Sequence, residues 1–131
     1  MDKATIDECM KMSFADTPFP QVVARLSSAG VSAYRADLIR LQNAYYDGGG
    51  DIYDHDLPLH GDRPPIAAEF READIVTAVR AIQRSEIGYA EFLRRIMRAG
   101  CASYSVFFGG RKAMYFGRDG AHYTEKFPEA Q

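Results

Sequence analysis

Apolar residues recur along this chain first at helical spacing and then on alternate positions, and that change of period happens twice. Residues 3 to 14 put Ile6, Cys9 and Met10 on one irregular apolar face, with Met12 and Phe14 beside them, and Thr5 followed by Glu8 has the form of a capping box. A second helix opens on Pro18 and Pro20, whose missing N–H groups cost nothing in a first turn. It runs through Phe19, Val22, Val23 and Leu26 to a closing Gly30. From Val31 the pattern alternates: Tyr34, Ala36 and Leu38 should face a core, and Arg35 and Asp37 should face water. A second strand is expected over about Leu41 to Tyr46, a turn at Gly48-Gly49-Gly50, and a third strand over Ile52 to Leu57.

Residues 58 to 68, PLHGDRPPIAA, read as a linker because three prolines remove backbone donors from any helix or ladder. Helical spacing then restarts with Ile75, Val76, Val79 and Ile82. After Gly88 comes the most amphipathic helix of the chain, with Tyr89, Phe92, Leu93, Ile96 and Met97 on one face, Arg94, Arg95 and Arg98 in its last turns and Gly100 as its cap. Strands are expected near 101 to 108, 111 to 117 and 121 to 127, with Gly109-Gly110 as a two-residue hairpin and Arg118-Asp119-Gly120 as the second turn.

The second pattern repeats the first at an offset of 70 without a gap. Ala29, Gly30, Tyr34, Tyr45, Gly50 and Tyr53 meet Ala99, Gly100, Tyr104, Tyr115, Gly120 and Tyr123. The expected fold is therefore α+β, an internal duplication of a helix, helix, β-meander unit over residues 1–57 and 69–131. Each unit of about 60 residues is marginal alone, so the two should pack as one pseudo-twofold domain with antiparallel sheet.

At 131 residues with 47% apolar content, the chain can bury a single core. Its formal net charge of −2 disfavours nucleic acid and anionic membranes as partners. The charge is uneven, however. Residues 1–61 hold five Lys/Arg against nine Asp/Glu, and residues 62–131 hold eleven against nine, an asymmetry that reads first as a solvated mixed surface and second as a dipole able to orient a partner or a second subunit. No export signal or spanning segment is legible, and Cys9 and Cys101 have neither metal nor disulfide spacing, so a cytoplasmic protein with reduced thiols is expected.

Candidate chemistry is sparse. Tyr104 and Tyr115 should pair across a hairpin, and a two-residue turn after Tyr115 would bring His122 to their face, whereas a three-residue turn would bring Tyr123 there instead. With Arg118 these residues form a candidate ligand-binding set, set against the simpler reading of a core aromatic layer. Cys101 and His122 suggest a thiol and base, but Val31 and Ile52 hold the same places in the first unit, which argues for a small buried hydrophobe at Cys101. The rival reading is a metal-dependent hydrolase using His55, His60, Asp54 and Asp56, although alternation along a strand aims His55 away from both aspartates. Glycines 48–50 lack the Lys-Ser/Thr ending of a phosphate loop.

The stretches FLRRIMRAGCASYSVFF and YFGRDGAHYTEKFP resemble a family of small uncharacterised bacterial proteins often labelled phage envelope protein, some of them prophage-borne. The resemblance covers nearly the whole chain, and Gly117-Arg118-Gly120-His122 with Glu125-Phe127-Pro128 is its most specific part. It implies no activity, cofactor or catalytic residue. The sequence thus predicts a non-enzymatic, homodimeric binding module for a small molecule or a protein, with no cofactor.

Overall fold

A computed structural model describes residues 1–128, so positions 129 to 131 of the expected second unit lie outside the described residues. Its elements follow the predicted order: α1 (Lys3–Phe14), α2 (Phe19–Ser28), β1 (Ala33–Asp37), β2 (Gln42–Tyr46), β3 (Ile52–Asp56), α3 (Glu72–Gln83), α4 (Tyr89–Arg98), β4 (Cys101–Phe107), β5 (Lys112–Gly117) and β6 (His122–Lys126). The fold is α+β. All six strands join in one antiparallel sheet with the order β3-β2-β1-β4-β5-β6.

The two halves meet at β1 and β4, where Arg35 faces Ser105, Tyr34 faces Val106 and Ala36 faces Tyr104. Tyr34, Tyr45 and Tyr53 form one row across β1, β2 and β3, and Tyr104, Tyr115 and Tyr123 form the matching row across β4, β5 and β6. Every pairing within one meander thus recurs 70 residues later, and the register is symmetric about the Arg35/Ser105 pair.

Period 2 sends both tyrosine rows to the same face, and the helices cover that face. Asp7 of α1 meets Tyr53, Tyr89 of α4 meets Tyr104, and Arg80 of α3 meets Glu125. Beneath them Ile6, Cys9, Leu26, Ile75, Leu93, Ile96 and Met97 are almost completely buried with the inward side chains of the sheet. Among the described residues no helix covers the opposite face of the sheet.

Local chemistry corrects two expectations. The N-cap of α1 is Asp2, whose carboxylate accepts from the Thr5 amide at 3.2 Å and the Thr5 hydroxyl at 2.8 Å, so Thr5 and Glu8 do not form a capping box. The β4–β5 hairpin is not a two-residue Gly109-Gly110 turn. Phe107 pairs with Lys112, leaving four residues in the loop, and Arg111 takes the left-handed position at φ 53°. The β1–β2 loop is built the same way, with Leu41 at φ 55°.

The linker crosses one end of the sheet. Arg63 donates to the carbonyls of Leu38 and Ile39, and Arg94 holds the His60 and Asp62 carbonyls at 2.6 and 2.8 Å. The Arg71 amide donates to the Ala99 carbonyl at 2.8 Å. Gly100 permits this approach: its φ is +92°, and a Cβ there would overlap the Glu69 carbonyl oxygen.

Candidate functional site

Tyr104 and Tyr115 do pair, with ring centroids 5.4 Å apart, but beneath the helices. Tyr104 shares a hydroxyl–hydroxyl hydrogen bond with Tyr89, and Phe92 stands edge-on to Tyr115 at 6.3 Å. Burial raises the hydroxyl pKa values of Tyr34, Tyr104 and Tyr115 well above the usual phenol value and that of Tyr89 to about 12. These hydroxyls are neutral under physiological conditions. Nearby, Asn43 donates to the Tyr45 hydroxyl at 3.0 Å while its own Oδ1, fully buried, has no partner.

His122 does not join them. It faces Phe116 across β5 and β6, so Tyr123 takes the place beside Tyr115, and His122 lies exposed on the opposite sheet face. Arg118 sits in the β5–β6 turn and donates to the Ile66 carbonyl at 3.3 Å, at the linker end of the sheet. The four residues of the expected ligand-binding set therefore fall in three separate places. Cys101 is fully buried, its thiol pKa raised to about 12 by burial, and its Sγ donates to the Ser103 carbonyl.

The candidate metal ligands are likewise dispersed. His55 points inward, 3.4 Å from Asp7, while Asp54 and Asp56 point outward, and His60 lies in the linker. Among the described residues no three His, Cys, Asp or Glu side chains stand together as ligands.

What the structure does assemble is the outer face of the sheet. Pairing registers give three outward rows. Ile52, Tyr46, Ala33, Phe107, Lys112 and Lys126 form one; Asp54, Ala44, Arg35, Ser105, Met114 and Thr124 form the next; Asp56, Gln42, Asp37, Ser103, Phe116 and His122 form the third. Acids lie in the first half of this face (Asp37, Asp54, Asp56) and bases at the far edge of the second (Lys112, Lys126, His122). Small side chains and Arg35 fill the middle. Ile52 is 55% exposed and Phe107 36%, and Tyr46, Met114 and Phe116 are half-buried. The charge asymmetry of the halves is legible in the sequence, but only the register shows that it lies along one sheet face.

No family model matches the chain. Among curated proteins it is similar to the uncharacterized protein Mb2035 of Mycobacterium bovis and to the uncharacterized proteins MT2067 and Rv2012 of Mycobacterium tuberculosis. Each is 32% identical over 109 residues, which is 83% of this chain and 66% of the relative. The chain thus spans just under two thirds of the length of the curated relatives it matches.

Proposed function

We propose that this chain is a non-enzymatic association module that docks a second copy of itself through the outer face of the sheet. The observation that carries the reading is the separation of charge on that uncovered face, acidic toward β3 and basic toward β6. Two such faces can meet about a twofold axis in two ways. An axis along the strands lays the β3 edge of one copy over the β6 edge of the other, which sets Asp56 opposite His122 and Asp54 one row from Lys126. An axis across the strands sets acids against acids, a juxtaposition that costs binding energy. The first arrangement also sets Ala33 and Ala44 of one copy opposite Phe107 and Met114 of its partner copy, small against large, across the ~10 Å spacing of packed sheets.

Strand spacing and rise give the face roughly 450 Å² per copy, below the ~800 Å² per partner of a stable complex. Association should therefore be weak and reversible. A cytoplasmic setting suits the two free, buried cysteines. The Gly117–Pro128 pattern that underlies the bacterial family resemblance forms the β5–β6 turn and the basic edge, so we extend the same association role to that family.

Sedimentation of a charge-swapped pair tests the reading. Asp54→Lys with Asp56→Lys makes both edges basic, and Lys112→Glu with Lys126→Glu makes both acidic. Each double variant alone should associate at least about tenfold more weakly than the wild type, and an equimolar mixture should regain a heterodimer. Wild-type protein that stays monomeric up to about 0.5 mM, or a mixture that stays monomeric, would sink the idea.

A further inference from the structure

The linker covers one end of the sheet and leaves the other bare, and this breaks the symmetry of the two halves at two positions in particular. At the linker end, Ile39 of the β1–β2 loop and Arg118 of the β5–β6 turn stand beside the linker segment Arg63-Pro64-Pro65-Ile66, and together they line a cleft of about 310 Å³. The residues 70 positions away from Ile39 and Arg118 are Gly109 and Gly48, which occupy loops at the other end, where an added Cβ would meet open space. A side chain is thus present where the linker can form a wall with it and absent where there is no linker.

The charge of this cleft is not neutralised. Arg63 is bound to the Leu38 and Ile39 carbonyls and Arg118 to the Ile66 carbonyl, and among the described residues neither guanidinium has a carboxylate within ion-pair distance. Of the acids close by in the chain, Asp37 pairs with Arg40, Asp62 pairs with Arg98, and Asp119, next to Arg118, accepts from the Ala121 amide at 3.0 Å. The groove between α3 and α4 differs in this respect. It is lined by Arg71, Arg95 and Arg98, which are paired with Asp74, Glu91 and Asp62. Backbone carbonyls orient a guanidinium without cancelling its charge, so the linker cleft keeps two positive forks with free N–H groups beside the apolar walls of Ile39, Ile66 and the two prolines.

We infer that this cleft binds a small molecule with an anionic carboxylate or phosphate head and a compact apolar body. The planar guanidinium matches either head group through paired N–H donors. The head lies between Arg63 and Arg118, and the body lies on Ile39, which is 56% exposed without such a ligand. This site is at the end of the sheet and is separate from the outer face proposed for self-association.

Amide spectra of the full chain titrated with phenyl phosphate, benzoate and neutral benzyl alcohol test the inference. Saturable shifts are expected at Ile39, Arg63, Ile66 and Arg118, with a dissociation constant near or below about 1 mM for at least one anion and at least about tenfold weaker for the alcohol. A tighter fit for phenyl phosphate than for benzoate assigns a phosphate head, and the reverse assigns a carboxylate. Arg118→Met should weaken the anion about tenfold. Because Arg118 also holds the linker, Ile39→Glu serves as the second variant: it adds an acid to the cleft from an exposed position and should abolish anion binding with no change in melting temperature. Shifts that do not saturate, equal binding by anion and alcohol, or full binding by Ile39→Glu would overturn the inference.

Discussion

Helix α4 buries Phe92, Leu93, Ile96 and Met97, whereas α2, at the same place in the first half, buries only Val22 and Leu26. The backbones match and the side chains do not. In α4 apolar residues sit at both i+3 and i+4 spacings, a stripe wide enough to touch the sheet and α1 together. The edges differ in a parallel way. At the β6 edge Glu125 accepts from Arg80 at 2.8 Å, from Gln83 at 3.1 Å and from Tyr123, and its side chain is 15% exposed. At the β3 edge Asp7 accepts from Tyr53 at 2.6 Å and stands near His55, but is 45% exposed. The second half is thus the more fully buried at these places, and substitutions at equivalent positions in the two halves should have unequal costs.

The largest difference should appear in the helices. Leu93→Ala opens a cavity in a fully buried site and should cost about 2–5 kcal/mol by urea unfolding, against about 1 kcal/mol or less for Val23→Ala at the equivalent, half-buried place. Equal costs would show the halves to be equally anchored. Next come the helix-closing glycines, both at φ +92°. Gly30→Ala should lose roughly 1–2 kcal/mol from backbone strain alone, because the nearest atom to its new Cβ is an ordinary 3.6 Å away. Gly100→Ala should lose more, because its Cβ must also displace the backbone of Glu69 and Phe70, and a matching loss at both sites would deny that this segment packs there.

The smallest effect is electrostatic. Burial alone would raise the pKa of Glu125, but hydrogen bonds from Arg80, Tyr123 and Gln83 outweigh it and leave the carboxyl lowered. A carboxyl lowered on folding adds stability above its unfolded pKa, and that stability is lost as pH falls through the folded value. Glu125→Gln should thus cost about 1 kcal/mol at neutral pH and nothing in acid below both values, which flattens the stability curve below about pH 4.5. Asp7→Asn, at the more exposed edge, should lose less. A greater loss for Asp7→Asn would reverse the ranking of the two edges.

How far these contrasts were legible differs from element to element. The apolar stripe of α4 and the alternation of Tyr34, Ala36 and Leu38 are local patterns, and the structure follows them closely. The loops were read less well. Glycines at 109 and 110 suggest a two-residue turn, but neither takes a left-handed φ; four-residue loops form instead, with Arg111 and Leu41 in the left-handed position, at the same strand register that a two-residue turn would give. His122 was displaced from the tyrosine face for a related reason. One added residue in a turn moves every following side chain to the other face of a strand.

The sequence by itself determined the order of elements, the recurrence at 70 residues and which residues of β1 point inward, because each depends on neighbours a few positions apart or on simple self-comparison. Tertiary structure decided that the meanders join through β1 and β4 into one sheet, with acids and bases at opposite edges of one open face. It also decided that the linker crosses a single end, where it brings Arg63 and Arg118 together from 55 residues apart. Those arrangements rest on long-range pairing and packing, which no local periodicity encodes.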